Sequence, residues 1–283
     1  MTATQTVFLN GRFLPIEEAC VPVLDRGFIF GDGIYEVVPV YGGRLFRWPH
    51  HLARLKRSLA KIRIDNPRDD AGWTSLVNEL IQRHPWTDQF IYLQVTRGVA
   101  KRDHAFPANA TPTVFAMASE FVPVPAAQRE QGISAITLPD ERWLHCDIKS
   151  ISLLGNVLAR QAAVDAQAAE CVMFRDGFLT ECSSSNVWVV RQGTLFGPPH
   201  DNRILEGIRV GLMDELCAAS GVPLQTRPVL RDEVLAADEL MVSSATKEIV
   251  PVTRLDGRPV GDGKPGPVYR RLYAAYQQAK QAA

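Results

Sequence analysis

Residues 36–62 read EVVPVYGGRLFRWPHHLARLKRSLAKI, and the hydrophobic period changes halfway along them. EVVPVY and RLF read as the two arms of a hairpin, with Gly42-Gly43 as its tight turn. Pro49 then opens a helix, where its missing N–H costs nothing. Behind it Leu52, Leu55, Leu59 and Ile62 form one apolar stripe at helical spacing. Strand and helix thus follow each other directly. Outward from this stretch the same devices recur. VFL-NG-RFL is a second hairpin, because Asn10-Gly11 suits a type I′ turn. Another helix is expected over residues 73–83, and FIYLQVTR and TVFAMAS read as buried strands. Two strand-rich runs flanking two helices make an α+β pattern.

Residues 120–128, EFVPVPAAQ, interrupt it. Their prolines break both ladders and helices, so this is the candidate linker. It divides the chain into a small N-terminal domain (1–119), the linker (120–128) and a larger C-terminal domain (129–283). In the last, GISAITL reads as a strand and NVLARQAAVDAQAAE as a helix. CVMFR-DG-FLT and VWVVR-QG-TLF are strands about turns. ILEGIRVGLMDELCAASG is a helix stopped by Gly221. ELMVSS and IVPVTRL-DG-RPV are strands, and VYRRLYAAYQQAKQ is a closing helix.

The 283 residues carry 31 Lys+Arg against 31 Asp+Glu, a net charge of zero. Nucleic-acid binding usually needs a basic excess, so it is not expected. No apolar run reaches the ~18–20 residues of a membrane helix, and MTATQTVFLNGRF, with no basic start before an apolar core, is not expected to act as a signal peptide. The five cysteines (Cys20, Cys146, Cys171, Cys182, Cys217) have neither CxxC nor zinc spacing, so no metal is expected. They read as reduced thiols of a cytoplasmic protein.

Three segments look locally odd. In RWLHCDIKSISLLGNV, Lys149 stands near Ile148, Ile151, Leu153 and Leu154. A lysine is ordinarily a solvated charge. One held among apolar groups is desolvated, which lowers its pKa and makes its amine a nucleophile, as a Schiff base with an aldehyde cofactor requires. In FLTECSSSNVW, Glu181 precedes three serines and an asparagine. On these residues alone an exposed turn is the simpler reading. The alternative is a carboxylate facing a cleft, with small hydroxyl residues letting a ligand approach. In VTRGVAKRDHAF, Arg102 and His104 are two apart and share a side of an extended segment. With Tyr35, which begins a strand after FGDG, they could bind a carboxylate. The plainer alternative is a polar loop and a packed strand tyrosine. FGDG itself has neither phosphate-loop spacing.

Together these segments resemble the fold-type IV pyridoxal-phosphate aminotransferases, and within them the D-amino-acid (D-alanine) transaminase branch. The resemblance rests on DRGFIFGDGIYEVVPVY, HHLARL, QVTRGVAKRDHAF, RWLHCDIKSISLLGNVLA, TECSSSNV, ILEGI and SSATKEIVPV, in that order along almost the whole chain. It implies a two-domain α+β fold, with a small N-terminal α/β domain and a larger C-terminal domain built on a β-barrel-like core with helices. It also implies pyridoxal 5′-phosphate as cofactor. Lys149 falls at the lysine that forms the Schiff base and shuttles the proton. Glu181 falls at the acid that keeps the pyridine nitrogen protonated. Arg54 falls at the arginine that binds the cofactor phosphate. Leu205 falls at the residue that packs on the ring. The amides around Gly207 and Ile208 resemble the helix N-terminal phosphate cradle. Tyr35, Arg102 and His104 match the trap for the substrate α-carboxylate, which sets a D-substrate's α-hydrogen towards Lys149. The family builds this site at a dimer interface, with the arginine–histidine loop supplied by the neighbouring subunit, so a homodimer is implied.

Two positions depart from the pattern. Arg209 stands where the family commonly has a threonine after GI. Ala245, after Ser244, stands where a relative carries another threonine. Two hydroxyl donors to the phosphate are thus missing, each worth ~0.5–1.5 kcal/mol, unless backbone amides, Ser244 or Arg209 compensate.

The expected activity is transfer of the amino group of a D-amino acid of the D-alanine type to a 2-oxo acid such as 2-oxoglutarate. One alternative is a branched-chain L-amino-acid transaminase. Those relatives carry a FEGIRxY-type strand where this chain has YEVVPVY, and they lack the RxH trap. Another is an aminodeoxychorismate lyase of the same fold, which shares the lysine and glutamate but generally not the trap. Retention of both Lys149 and Glu181 argues against a noncatalytic dimer.

Overall fold

The computed structural model describes residues 5–282, apart from the side chains of Ile208, Arg209, Val210 and Ala282. Two compact units form: residues up to 122 together with 148–153, and residues 123–147 with 154–282.

The first unit contains β1 (Thr6–Leu9), β2 (Arg12–Pro15), α1 (Arg26–Phe30), β3 (Gly33–Tyr41), β4 (Arg44–Leu45), α2 (Trp48–Lys61), α3 (Asp70–Gln82), β5 (Gln89–Thr96) and β6 (Thr113–Glu120). Its strands make one antiparallel sheet in the order β2-β1-β6-β5-β3-β4. The two expected hairpins are present. Asn10 and Gly11 take φ of 47° and 89°, and Gly42 and Gly43 take 58° and 74°. Both central residues are left-handed, as a type I′ turn requires. In β5 the burial alternates strictly until the end. Gln89, Ile91, Leu93 and Val95 face inward, while Phe90, Tyr92 and Gln94 face the other way. Ile34, Val38 and Val40 of β3 join the inward set, against which α2 and α3 pack Leu52, Leu55, Leu59, Trp73, Leu76, Val77 and Leu80. Each such large side chain contributes about 1.5–3 kcal/mol by leaving water.

The second unit contains α4 (Ala126–Glu130), β7 (Ile133–Pro139), α5 (Leu154–Asp165), β8 (Glu170–Arg175), β9 (Phe178–Cys182), β10 (Asn186–Arg191), β11 (Thr194–Gly197), α6 (Ile208–Ser220), β12 (Leu224–Thr226), α7 (Arg231–Leu235), β13 (Glu239–Ser244), β14 (Glu248–Leu255), β15 (Arg258–Pro259) and α8 (Pro267–Ala282). The sheet runs β12-β11-β10-β13-β14-β7-β8-β9, with β15 on β14. From β10 to β9 is five strand spacings, about 24 Å if the sheet were flat. Yet Cys182 ends β9 and Asn186 begins β10, and four peptide steps span at most about 14 Å. The sheet therefore curls back on itself, giving the barrel-like core expected of this fold class. Residues Val172, Val187, Val189, Leu240, Val242, Val250 and Val252 fill it.

Two helices are shorter than their sequence pattern. α6 begins at Ile208 and not Ile204, because Gly207 is extended (φ −66°, ψ 146°). α5 ends at Asp165, and Gln167 turns left-handed (φ 55°). Glu170 is then taken by β8, which pairs in parallel with β7. Among the described residues no helix is long and apolar enough to cross a membrane.

Candidate active site

In the first unit the returning segment, residues 148–153, lies along the start of β3. Ser150 bridges to Ile34, and Tyr35 N–H donates to the Lys149 carbonyl at 2.9 Å. Side chains alternate on such an edge. Ile148 and Ser150 are buried, and Ile148 joins the core. Lys149 and Ile151 are half-buried. Lys149 Nζ stands 4.1 Å from the centre of the Tyr35 ring, a cation–π geometry. Leu154 is 71% exposed. The expected aliphatic setting is therefore replaced by one of backbone and aromatic ring. Tyr35 stacks on Tyr92 at 5.7 Å. Tyr92 donates its hydroxyl to Gln94 at 2.6 Å, and burial together with Tyr35 pushes it up to about 12.

Arg54 lies on the buried face of α2, where it meets Glu36 of β3 fork to fork. Nε donates to Oε1 at 2.7 Å and Nη2 to Oε2 at 2.8 Å. His51 Nδ1 is 2.9 Å from Oε2. Burial alone would raise the Glu36 carboxyl, but Arg54 and His51 bring it down to about 2.

Arg102 and His104 are both exposed, in the long loop between β5 and β6. Phe30 is their common neighbour: its ring is 5.3 Å from that of His104 and 5.5 Å from the Arg102 guanidinium. Among the described residues no hydrogen bond or ring contact joins Tyr35 to either of them. The loop is pinched at its base by Gly98 (φ 93°), where a Cβ would fall 1.9 Å from the Thr111 carbonyl.

In the second unit Glu181, on β9, is buried. This overturns the exposed-turn reading, because the strand ends only after Cys182 and the serines form the turn instead. Oε1 accepts from Arg142 Nη1, while Oε2 accepts from Leu205 N–H at 3.2 Å and Asn186 Nδ2 at 3.4 Å. Asn186 also donates to the Leu205 carbonyl at 3.0 Å. Burial pushes the Glu181 carboxyl above its usual value, against the pull of these donors. Arg142 gives Nε and Nη2 to Asp140, each at 2.9 Å.

Gly207 stands at the N-cap of α6 in extended conformation, so the position expected for the phosphate cradle does begin a helix. The side chains of Ile208 and Arg209 lie outside the described residues. Ser244 Oγ accepts from Lys247 N–H at 3.1 Å and lies 3.3 Å from Thr246 Oγ1. Beside half-buried Ala245 the turn thus carries the hydroxyls of Ser244 and Thr246, but none at 245. Lys247 Nζ pairs with buried Glu170, which also accepts from Ser183 at 2.5 Å and Ser185 at 3.3 Å.

The sequence reading missed Glu36, His51, Tyr92, Arg142 and Asn186. Glu36 left a signal: it shares the inward face of β3 with Val38 and Val40, and a charge placed there demands a partner. Arg142 left none, because only the folded chain brings it to Glu181.

Residues 33–255 match the model of the amino-transferase class IV family. The D-alanine aminotransferase of Bacillus licheniformis is 42% identical over 273 residues, 96% of each chain. Among solved structures, the Escherichia coli branched-chain amino acid aminotransferase superposes with a TM-score of 0.92 at 24% identity, covering 97% of this chain and 94% of its own. The branched-chain aminotransferase of the thermophilic archaeon Thermoproteus uzoniensis with norvaline gives 0.88 at 25%, covering 98% and 94%. On this footing the chain belongs to the class IV aminotransferases.

Proposed function

We propose that the protein transfers the amino group of D-amino acids of the D-alanine type to 2-oxo acids such as 2-oxoglutarate, using pyridoxal 5′-phosphate bound through Lys149. The observation that carries the reading is the state of Glu181. A carboxylate has about four acceptor sites. Three donors reach this one, two of them at 3.2 and 3.4 Å, which leaves acceptor capacity for a protonated ring nitrogen. The donor set fits the cofactor elsewhere too, with the N-terminus of α6 at Gly207 and Ile208 and hydroxyls at Ser244 and Thr246 for a phosphate.

When bound, pyridoxal phosphate supplies an aldehyde that joins amino groups and a ring that withdraws electrons from the substrate α-carbon. Lys149 Nζ would hold it and, once released, move the proton at the α-carbon. Glu181 would keep the ring nitrogen protonated, and Arg142, Asn186 and the Leu205 amide would fix its carboxylate. Leu205 would pack on the ring. Arg54, aligned by Glu36, would face the phosphate, as would Ser244, Ala245 and the backbone of Arg209. Tyr35, Arg102 and His104 would receive the substrate carboxylate.

A homodimer with the active site at the subunit interface accompanies this reading. Both units expose large apolar side chains: Val23 and Phe28 (76%) in the first, and the Leu154, Val157, Leu158 stripe of α5 in the second. Such patches suit contact with a second copy. Five free thiols suit a reducing cytoplasm.

The substrate's hand is supported by the near-full-length kinship with D-alanine aminotransferases, whereas the Escherichia coli branched-chain enzyme shares the fold. The test is a single-turnover assay of the cofactor-loaded protein with D-alanine and with L-leucine. D-alanine is expected to convert the bound cofactor to its amine form at least 100-fold faster. Preference for L-leucine would overturn the reading.

A further inference from the structure

We propose that Arg26 is a positioning residue for the carboxylate trap, holding the loop that bears Arg102 and His104 in its receiving shape. The inference rests on the trap reading given above.

Residues 97–112 connect β5 to β6 with only the isolated bridge of Val99 to Asp25 near their start, and both trap side chains are exposed on them. A long exposed loop would spend binding energy on its own ordering unless ordered beforehand. Arg26 reaches it from α1 with its side chain only 4% exposed. Nη1 donates to the Asp103 carbonyl at 2.5 Å and to the Ala105 carbonyl at 3.3 Å, and Nη2 donates to the His104 carbonyl at 3.4 Å. Three consecutive carbonyls are thus gathered on one guanidinium, in the middle of the trap. The other side of Arg26 is fixed as well. Nε donates to Asp32 at 2.8 Å, and its guanidinium lies 4.8 Å from the centre of the Phe30 ring, the ring shared with Arg102 and His104.

The loop's ends have separate anchors. Arg97 takes Asp32 through Nε at 2.7 Å and Nη2 at 3.0 Å, and lies 3.6 Å from the centre of the Phe106 ring. Asp25 accepts from Thr113 Oγ1 at 2.6 Å. Removing Arg26 therefore frees the centre of the loop, while Asp32 keeps Arg97 as a partner. Among the described residues Arg26 donates to loop carbonyls and makes no hydrogen bond to a trap side chain, so its effect on substrate passes through backbone placement. A lysine has one nitrogen, which cannot serve Asp32 and all three carbonyls at once as the separate guanidinium nitrogens do.

The experiment measures steady-state kinetics of cofactor-loaded Arg26→Met, Arg26→Lys and Arg102→Ala with D-alanine and 2-oxoglutarate. It adds the rate at which hydroxylamine, a nucleophile without a carboxylate, reacts with the bound cofactor. Arg26→Met is expected to raise KM for both substrates about 10- to 100-fold, with kcat changed less than about threefold and the hydroxylamine rate unchanged. Combined with Arg102→Ala, it should add little further rise. Arg26→Lys keeps the ion pair with Asp32 and should raise KM in the same direction by less. It decides the question should the methionine variant fail to fold. Unchanged KM in the Arg26 variants beside a raised KM in Arg102→Ala would overturn the positioning role alone. Unchanged KM in Arg102→Ala would overturn the trap itself. A fall in kcat and hydroxylamine rate together, at constant KM, would mark Arg26 as merely structural.

Discussion

Each unit buries a glutamate against an arginine, and the two pairs are built to opposite ends. In the first, Arg54 gives its Nε and Nη2 to Glu36, matching both carboxylate oxygens at 2.7 and 2.8 Å. The carboxyl is driven down to about 2. In the second, Arg142 gives its Nε and Nη2 to Asp140 and only Nη1 to Glu181. Burial then prevails, and the Glu181 carboxyl is raised from its usual value. The lesson lies in how the guanidinium is divided. A carboxylate that receives the whole fork is charge-balanced and has little left to offer. One that receives a corner keeps proton affinity and acceptor capacity, which suits a group meant to meet a protonated ring nitrogen.

The comparison is broken first at Glu36. Glu36→Gln takes from buried Arg54 the carboxylate it meets fork to fork and should cost about 3–5 kcal/mol of stability, read as a lower urea midpoint of the protein without added cofactor. A midpoint within experimental error of the parent would deny the pair its structural role. Glu181→Gln should do the reverse. Turnover should fall about 100-fold, while the midpoint at pH 7 should stay or rise, because Arg142 retains Asp140 and a buried charge is removed. Full turnover would remove Glu181 from the chemistry.

The pH dependence sharpens the contrast, since the two shifts have opposite signs. Glu36 is lowered from 4.5 to about 2. Its contribution is complete above about pH 4.5 and is lost as the pH falls towards 2. Glu181 is raised. Its burial is tolerated best while it is protonated, and the penalty grows as the pH rises through its shifted value. The stability deficit of Glu36→Gln should therefore widen from pH 3 to pH 6, while Glu181→Gln should gain on the parent over the rising range. Parallel curves would refute the assignment of opposite shifts. The smallest effect is expected at Asn186. Asn186→Ala removes one 3.4 Å contact to Glu181 and one to the Leu205 carbonyl, and should lower kcat about three- to tenfold. A fall as large as that of Glu181→Gln would mean that Asn186, and not Arg142, holds the carboxylate.

What was legible in the sequence was what short-range physics controls. The turn at Asn10-Gly11 and the stripe from Leu52 to Leu59 follow from local conformation and period. The ends of α5 and α6 were less legible, because Gly207 and Gln167 had to reveal their backbone angles. Lys149 and Glu181, the side chains proposed to meet the cofactor, were singled out through the family pattern. Their partners were not, since nothing in RWLHCDIK says that Arg142 divides itself between Asp140 and Glu181. Lys149 is the sharpest case. Its apolar neighbours in sequence suggested an aliphatic sheath, but strand-like alternation sent Ile148 into the core and the lysine towards Tyr35.

The central claim is that position 149 carries the cofactor. Purified protein supplied with pyridoxal phosphate, reduced with borohydride and digested, tests it most directly by peptide mass spectrometry. The account predicts the phosphopyridoxyl mass on the peptide containing Lys149, and neither label nor turnover in Lys149→Ala. A label on another lysine such as Lys247, with Lys149 unmodified in an active enzyme, would contradict it.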